Sequence, residues 1–324
     1  MIGRRTSLAA LAALMLTCLG FDASAQQNYP QRVIRWVVPF AAGSGTDTVA
    51  RIIAQNASGI LGQQIVIENM GGANGVLAAQ NVARAAPDGY TLFFTTNTTH
   101  AANPSLMRSL PYDPVTDFEP IARVAEAPLA LLVNNSIPVN DVAGLIAYAR
   151  QNPGKLSFGA GSSSAQLSGE MFRRLANIDV LYVPYRSNPQ ALNDVIGGQI
   201  SFMFADAMFC ISQAREGRVK CLGVTSRNRS RLAADTPSMH EAGVDGFHLT
   251  AWFAMFAPAR TPRPIIDVIY QALTRTLSDP AVVNRMLATG FEPSLLGPEE
   301  TAAFVQSEIA KWGAIVREAG IEPQ

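Results

Sequence analysis

Apolar strand-like runs alternate with helical stretches along this chain, and that alternation is the feature that most restricts its fold. In the first third the runs are VIRWVVPF, QQIVIEN and YTLFFTT, which begin at residues 33, 63 and 90. Strands that are nearly continuous in apolar residues and separated by helices are typical of a parallel sheet covered by helices on both faces. The sequence therefore predicts an α/β fold.

The same alternation begins again after about residue 128 and predicts a second α/β unit, with the runs LALLVNN, LSFGAG, VLYVPY, ISFMFAD and VKCLGVTS. From residue 251 onward, one more strand and three helices remain, and the first unit accommodates them most simply. We therefore expect two lobes with a ligand cleft between them. The first would comprise residues 26–126 and 252–324 and the second residues 127–251, with hinges near Glu126 and Trp252.

Each unit contains one turn of small residues between a strand and a helix, PFAAGSGTD at 39–47 and FGAGSSSAQ at 158–166. The first N–H groups of a helix have no intrahelical acceptor, and without large side chains around them they bind anions. Ligands of open α/β sheets bind at the carboxyl ends of the strands. Both turns are therefore expected to face one crevice and to hold an anion, either a phosphate or a carboxylate.

The residues around the first turn argue against the phosphate. Gly-Ser-Gly at 43–45 supplies half of a dinucleotide-binding fingerprint, and Glu68 after the next strand could take a ribose hydroxyl. Thr48, however, stands where the third glycine belongs, and Asp47 would repel a pyrophosphate. No lysine follows the glycines as a P-loop requires. The sequence predicts no nucleotide and no other cofactor.

Composition and motifs also argue against nucleic-acid binding, catalysis and metal binding. The 324 residues balance 25 Lys and Arg against 25 Asp and Glu, without a basic run. The three histidines, His100, His240 and His248, belong to no HExxH string, and no GxSxG string occurs. No metal-ligand spacing surrounds the cysteines. We expect a protein that is not an enzyme, with the serines at 162–164 acting as hydrogen-bond donors.

The first 25 residues are predicted to be a cleaved signal peptide. The arginine pair at 4–5 precedes an apolar stretch at 8–20 that is too short to span a bilayer, and Ala-Ser-Ala at 23–25 offers a cleavage site. The general and the twin-arginine export routes both remain open. A lipidated Cys18 is disfavoured by the threonine before it. The mature chain from Gln26 is expected to be soluble and periplasmic.

Cys210 and Cys221 are the two cysteines that remain after residue 25, and an oxidising compartment permits a disulfide between them. A ring this short would stabilise the fold by roughly 3 kcal/mol if it were unstrained. The alternative is two buried thiols, because Cys210 is predicted to start a helix and Cys221 to lie within a strand. The sequence leaves both alternatives open.

Segments spread over almost the whole mature chain carry a family resemblance. They are YPQRVIRWVVPFAAGSGTD, GQQIVIEN, AAPDGYTLFF, THAANPSL, LPYDPVTDFEPI, PGKLSFG, VPYR, DVIGGQISFMF, LGVTS and EIAKWGAIVREAGI. Through them the chain resembles the substrate-binding proteins of tripartite tricarboxylate transporters, the TctC-like or Bug family. The resemblance implies a type II periplasmic binding protein, built from two Rossmann-like lobes with a ligand cleft between them.

The resemblance also implies a function and partners. A monomeric receptor would close around a small carboxylate and deliver it to the membrane permease subunits of a tripartite carboxylate transporter. Dicarboxylates, tricarboxylates, aromatic acids and amino acids all remain as candidate ligands. Presentation of the ligand to a sensor protein is an alternative function, and an exported enzyme with a nucleotide or ester substrate is a more distant one.

Site residues follow from the same resemblance. The loop from Phe40 to Asp47 would grip one carboxylate, partly through ordered waters, and the segment from Thr96 to His100 would form a second loop of that lobe. In the other lobe the loop from Gly161 to Gln166 would close on the far end of the ligand. The ligand-binding residues implied are Phe40, Ala41, Ala42, Gly43, Ser44, Gly45, Thr46, Asp47, Thr96, Asn97, Thr98, His100, Gly161, Ser162, Ser163, Ser164, Gln166, Tyr185, Arg186 and Asp206.

Several of these residues also have an ordinary structural interpretation. Asp47 could serve only the first turn of a helix, Tyr185 could belong to the core, and Arg186 could be a solvated surface cation. The chain also departs from the family pattern. Serines at 162–163 and Gln166 replace a common Gly-Thr and His, and Ala-Asp at 205–206 replaces a common Asp-Asn. The identity of the ligand is therefore left open.

Overall fold

The computed structural model describes residues 29–185, 188–318 and 320–323. The predicted signal peptide and Arg186 lie outside the described residues. Within them, none of the helices has the length and hydropathy of a membrane-spanning segment.

Ten strands and ten helices are formed within the described residues. The first group of elements is β1 (Ile34–Val38), α1 (Gly45–Leu61), β2 (Ile65–Asn69), α2 (Val76–Ala83), β3 (Thr91–Thr96), α3 (Asn103–Leu106) and β4 (Phe118–Asn134). The second group is α4 (Val142–Gln151), β5 (Leu156–Ala160), α5 (Ser163–Leu175), β6 (Val180–Pro184), α6 (Asn188–Ile196), β7 (Phe202–Asp206), α7 (Ala207–Arg215) and β8 (Val219–Val224). The chain ends with β9 (Thr250–Pro258), α8 (Arg263–Ser278), α9 (Pro280–Ala288), β10 (Glu292–Leu296) and α10 (Pro298–Glu318).

The strands form one mixed sheet in the order β2-β1-β3-β9-β4-β7-β5-β6, with β8 and β10 both paired to β4. Strand β1 is parallel to β2 and β3, and β5 is parallel to β6 and β7. All pairings of β4 and β9 are antiparallel, including those with β8 and β10. The expectation of a parallel sheet is correct for β1–β3 and for β5–β7 and wrong for β4, β8, β9 and β10, because apolar content does not specify strand direction.

The two lobes are joined by β4 and β9. These strands run side by side from the pair Phe118–Pro258 to the pair Pro128–Thr250, after which β4 continues into the second lobe and pairs with β7 and β8. Glu126 and Trp252, where the hinges are predicted, are direct partners in this ladder. Both connections between the lobes therefore lie in one two-stranded ribbon.

Fully buried aromatic side chains hold each lobe together. Trp36 and Phe94 stack with their ring centroids 5.9 Å apart in the first lobe. In the second lobe Phe172 packs edge-on against Phe202 and Phe204 at 5.8 and 6.0 Å. An aromatic side chain that buries 150–250 Å² contributes about 4–6 kcal/mol at 25 cal/mol per Å². This packing holds in place the strand ends from which the predicted ligand loops emerge.

A buried carboxylate of the C-terminal helix α10 bonds to the ribbon of β4 and β9, in which the hinges are predicted. Glu308 accepts hydrogen bonds from the indole N–H of Trp252 at 3.0 Å and of Trp312 at 3.1 Å. Near its end, α10 also reaches the second lobe through an ion pair between Glu318 and Arg174 at 2.9 Å. The helix therefore contacts the first lobe, the hinge and the second lobe.

Candidate functional site

The loop between β1 and α1 is organised around the carboxylate of Asp47, which is 3% exposed. Asp47 accepts hydrogen bonds from the backbone N–H of Gly43 at 2.8 Å, from the side-chain amide of Asn69 at 3.0 Å and from Arg51 Nε at 3.0 Å. Burial on its own would raise the pKa of Asp47, but the bonds from Arg51, Gly43 and Asn69 outweigh it and the pKa is lowered. The ionised carboxylate therefore holds the loop in shape.

Helix α1 begins with free backbone donors. Ser44 caps the helix, because its Oγ accepts the N–H of Asp47 at 3.3 Å. The N–H groups of Gly45 and Thr46 have no acceptor among the described residues. They carry the partial positive charge of the helix terminus. The N–H groups of Gly45 and Thr46 are thus free donors in this loop, whereas the N–H of Gly43 is bound to Asp47.

Helix α5 in the second lobe begins in the same way. Ser162 caps it, and Asn188 braces the turn by accepting the N–H of Gly161 at 2.9 Å and donating to Ser162 Oγ at 3.2 Å. The N–H groups of residues 163–164 find no acceptor in the described part of the chain. The predicted ligand loop of each lobe therefore presents a pair of helix N-terminal donors.

Asn97 connects the two lobes next to these turns. Because β1 and β3 are parallel with Val37 opposite Phe93, Asn97 follows its strand beside the turn that leads to α1. Its side-chain amide donates to Ser164 Oγ at 3.0 Å, and its side-chain carbonyl accepts the N–H of Trp252 at 3.4 Å. Asn97 thus brings together two loops that were predicted to belong to different lobes, and it also bonds to β9.

The other predicted residues of the first lobe surround this contact. Thr96 and Thr98 are 5% and 8% exposed, and Thr96 Oγ1 accepts the N–H of Thr98 at 3.2 Å. Phe40 is half-buried and its carbonyl accepts the side-chain amide of Asn69 at 3.0 Å, while the alanines at 41–42 are exposed. These residues shape the edge of the site mainly through their backbone.

His100 does not join this group. Its ring is fully buried, stacks on Phe256 at 3.9 Å between centroids, and lies near Phe93 and Phe118. Burial lowers the pKa of His100 to about 3, so the imidazole is neutral, and Nδ1 lies 2.9 Å from Thr99 Oγ1. The predicted ligand contact of His100 is therefore corrected to a core position, since aromatic rings enclose its side chain.

Tyr185 also points away from the turns. Its hydroxyl donates to Asp194 in α6 at 2.7 Å, and its ring lies so close to Gly159 that a Cβ there would come within 2.8 Å of it. Burial, followed by the bond to Asp194, raises the pKa of Tyr185 to about 12. The half-buried side chain thus packs between β5 and α6. Gln166, on the first turns of α5, is partly exposed.

Asp206 ends β7 beside the α5 turn. Strand β7 is parallel to β5 with Met203 opposite Gly159, so the carboxyl ends of both strands lie at the same edge of the sheet. The side chain of Asp206 is exposed at this edge. Asp206 therefore borders the same end of the sheet as the donors of α5.

The lobes meet at further points on this side of the molecule. Met208, in the first turn of α7, packs directly on Gly290, where a Cβ would lie 2.7 Å from the Met208 Cγ. Ser230 Oγ donates to Glu292 at 2.5 Å. Together with the bond from Asn97, these contacts join residues of the two lobes.

Known proteins resemble this chain along nearly its whole length. The sequence model of the tripartite tricarboxylate transporter family receptor matches residues 49–321. BugT of Bordetella pertussis is 32% identical over 319 residues, which cover 97% of this chain and 98% of that protein. The chain belongs to the tripartite tricarboxylate transporter receptor family. Members of this receptor family are solute-binding proteins, not enzymes.

Solved relatives of this receptor share its two-lobed fold. R. palustris Rpa4515, solved with adipate, is 34% identical with a TM-score of 0.84, covering 92% of this chain and 100% of that one. MatC of Rhodopseudomonas palustris, solved with bound malate, is 35% identical with a TM-score of 0.77, covering 89% and 100%. The periplasmic binding protein BugD is 35% identical with a TM-score of 0.80, covering 91% and 100%. Two of these relatives were thus solved with a carboxylate.

The two cysteines of the second lobe of this receptor are free thiols. Cys210 is fully buried in α7, where its thiol donates to the carbonyls of Ala130 at 3.5 Å and Ala205 at 3.3 Å. Burial raises the pKa of both thiols, that of Cys221 in β8 to about 11. Of the two alternatives, the structure has two free thiols, of which Cys210 is buried and Cys221 is partly exposed. No group of metal-binding side chains occurs among the residues it describes.

Sequence reasoning missed the residues that hold the receptor's turns in shape. Arg51 carried a signal, because it follows Asp47 by four residues on the same helix. Asn69 ends β2, the parallel neighbour of β1, so its proximity could have been inferred from strand order. Asn188 lies 27 residues after the Gly161 that it binds, and no local pattern connects them.

Proposed function

We propose that this receptor is periplasmic, that it captures a small carboxylate between its lobes, and that it delivers the ligand to the permease subunits of a tripartite tricarboxylate-type transporter. The first lobe would comprise residues 26–126 and 252–324, the second residues 127–251, and the mature chain would act as a monomer. The observation that carries the proposal is the presence of one free helix N-terminus in each lobe, at 45–46 and at 163–164, with Asn97 of the first lobe bonded to Ser164 of the second.

The chemistry of these donors supports a carboxylate. Hydrogen bonds from N–H groups to an ionised oxygen are roughly twice as strong as bonds between neutral groups, and a helix N-terminus adds a favourable dipole. No lysine is then required in the site. The charge of Asp47 is offset by Arg51 at 2.9 Å, so its repulsion of a bound anion is reduced. The adipate and malate complexes of relatives at 34% and 35% identity agree with this ligand class.

Donors from both lobes also supply a reason for closure. A ligand shifts a conformational equilibrium only by its differential affinity for the two states. A carboxylate that bonds to 45–46 in one lobe and to 163–164 in the other gains its full set of bonds only when the lobes are closed. Rotation about the β4–β9 ribbon would then follow the hinge type of domain closure.

The ligand class is tested by thermal unfolding of the mature chain with adipate, malate, citrate, benzoate and glutamate, and with NAD and ATP as controls. A ligand at a hundred times its dissociation constant should add roughly 2.7 kcal/mol, which raises the melting temperature by a few degrees. Stabilisation by a carboxylate with no effect of the nucleotides is expected. Stabilisation by a nucleotide alone would refute the proposal and favour a phosphate site.

The site is tested by Ser163→Leu, which places a large side chain over the free N–H groups of α5. We expect at least a tenfold loss of affinity for the carboxylate that binds the wild type, with the circular dichroism spectrum unchanged. Ser212→Leu is the matched control, because Ser212 is exposed on α7. Equal affinities of both variants would show that the α5 turn does not contact the ligand.

Delivery to a permease is tested in proteoliposomes that contain the permease subunits. Uptake of the bound carboxylate should depend on added receptor and should fail with the Ser163→Leu variant. If the receptor activated a sensor protein but supported no uptake, its function would be ligand presentation and not transport.

A further inference from the structure

The first residue of α1, Gly45, lies directly under an aromatic ring from the C-terminal part of the chain. A Cβ at residue 45 would lie 3.2 Å from Cζ and 3.6 Å from Cε1 of Phe291. Gly45 is helical and does not have the positive φ that favours glycine for its backbone freedom. The missing side chain therefore makes room for the ring of Phe291.

The ring of Phe291 is itself held in place by packing. It is 5% exposed and meets Phe253 of β9 edge-on, with the ring centroids 5.2 Å apart. Phe253 is fixed in the sheet by its pairing with Thr96. The backbone N–H of Phe291 donates to the carbonyl of Met286 near the end of α9 at 3.0 Å. The ring is thus a rigid support for the start of α1.

The chain neighbours of Phe291 both contact the second lobe. Gly290 lies against Met208 of α7, and Glu292 accepts a hydrogen bond from Ser230 Oγ at 2.5 Å. The segment at 290–292 therefore contacts the second lobe on both sides of a ring that faces the first ligand loop. Contacts from both lobes determine where this ring lies.

The contact with the ring is made at a residue whose N–H is a free donor. Hydrogen bonds weaken steeply when the donor is misaligned with its acceptor. The groups that bind a ligand must be held within about 0.5 Å of the productive geometry, by neighbours whose own conformations are locked by packing. The ring of Phe291 is such a neighbour for the N–H groups at 45–46.

We propose that Phe291 is a positioning residue of the carboxylate site. Its ring fixes the first residue of α1, and so the direction of the free N–H groups at 45–46, without touching the ligand. This inference rests on the proposed function, because it takes a ligand carboxylate to bind these N–H groups. It assigns an effect on affinity to a side chain outside every loop that the sequence predicts to bind the ligand.

A double-mutant cycle tests the inference by isothermal titration of the mature chain with adipate, malate, citrate, benzoate and glutamate. Gly45→Ala should lower the affinity for the carboxylate that binds the wild type about tenfold or more, because hydrogen bonds to a charged group are weakened. Phe291→Leu lacks the ring atoms that face residue 45 and should lower it several-fold. In the Phe291→Leu background, Gly45→Ala should cause no further loss, because its methyl group occupies space that the ring has vacated.

Two control variants separate positioning from a general loss of stability. Gly59→Ala changes an exposed glycine of the same helix, where a Cβ would meet nothing within 4 Å, and should leave the affinity unchanged. Phe118→Leu removes a ring that is 3% exposed in the same lobe and packs on Phe93. It should lower the melting temperature as Phe291→Leu does, but not the affinity measured where all variants are folded.

The amide NMR signals of residues 45 and 46 provide a measurement that needs no ligand. Phe291→Leu should shift both signals in the ligand-free protein, because the N–H groups lose their support, whereas Phe118→Leu should leave them in place. Signals that Phe291→Leu does not move would overturn the positioning role.

Failure of the inference is distinguishable from failure of the proposed function. An equal loss of affinity on Gly45→Ala in both backgrounds, or equal affinities of Phe291→Leu and the wild type, would overturn the role of Phe291 and leave the receptor function standing. Absence of binding by all five carboxylates would overturn the receptor function together with this inference.

Discussion

We expect closure of the lobes to depend on the close contact between Gly290 and Met208, which leaves no room for a larger side chain at residue 290. A Cβ at residue 290 would lie 2.7 Å from Met208 Cγ and 2.8 Å from its Cβ, and neither atom is at the flexible end of the side chain. Gly290→Ala should therefore oppose the closed arrangement. Overpacking of this kind costs about 1–3 kcal/mol, so affinity for the carboxylate that binds the wild type should fall by about 5- to 150-fold.

A matched variant separates the steric effect from the effect on the backbone. Gly243 has the same φ of +91° as Gly290, but a Cβ at residue 243 would meet nothing within 4 Å. Both alanine variants should lose about 1 kcal/mol of unfolding free energy, because an L-residue is strained at positive φ. Only Gly290→Ala should lose affinity.

Isothermal titration and urea denaturation of both variants provide the measurement, and small-angle scattering with saturating ligand reports the closure. Adding Met208→Gly to Gly290→Ala should restore binding, because it removes both the Cβ and the Cγ that obstruct residue 290. If Gly290→Ala and Gly243→Ala bind the ligand equally well, the contact between Met208 and Gly290 has no part in closure and the reasoning is refuted.

Two further predictions concern the charge in the first loop and the thiols. Asp47 has a pKa below 3.8 in the folded protein, so its stabilising contribution is present above that value and is lost as the pH falls through the lowered pKa. Asp47→Asn should therefore be less stable by about 2 kcal/mol at neutral pH, and it should lose less unfolding free energy on acidification than the wild type. If acidification lowered the urea midpoints of both proteins equally, the prediction would be contradicted. A thiol reagent should detect two thiols in the denatured mature chain and should react slowly with the native protein, since Cys210 is fully buried and the pKa of Cys221 is about 11. Absence of thiols in the denatured chain would reveal a disulfide.

Much of the fold follows from local sequence because the strands that begin each lobe are continuous apolar runs. The run at 142–151 predicts α4 to the residue, and the small-residue turns mark the starts of α1 and α5. Strand direction was not predictable, since β9 is as apolar as the parallel strands but runs antiparallel to β3. The first half of β4 and the whole of β10 lack a continuous apolar run, because charged residues and prolines interrupt both.

The candidate site was predictable as a set of loops but not as a set of side-chain orientations. Glycine and serine between a strand and a helix indicate free N–H groups, and the structure retains them at 45–46 and 163–164. His100 and Tyr185 lie at the same strand ends, but packing against aromatic rings and against Gly159 turns both away. Which way a side chain leaves a strand end depends on its neighbours in space, and a single sequence does not contain that information.

Strand β4 also bears on the cooperativity of unfolding. Its 17 residues pair with β9 and β10 in one lobe and with β7 and β8 in the other, without an intervening linker. A lobe that unfolded by itself would leave half of this strand without hydrogen-bonding partners, so the two halves of the molecule are expected to unfold as one cooperative unit. A ligand bound at the edge of the sheet is then expected to stabilise both lobes against unfolding, including the parts that lie far from the cleft.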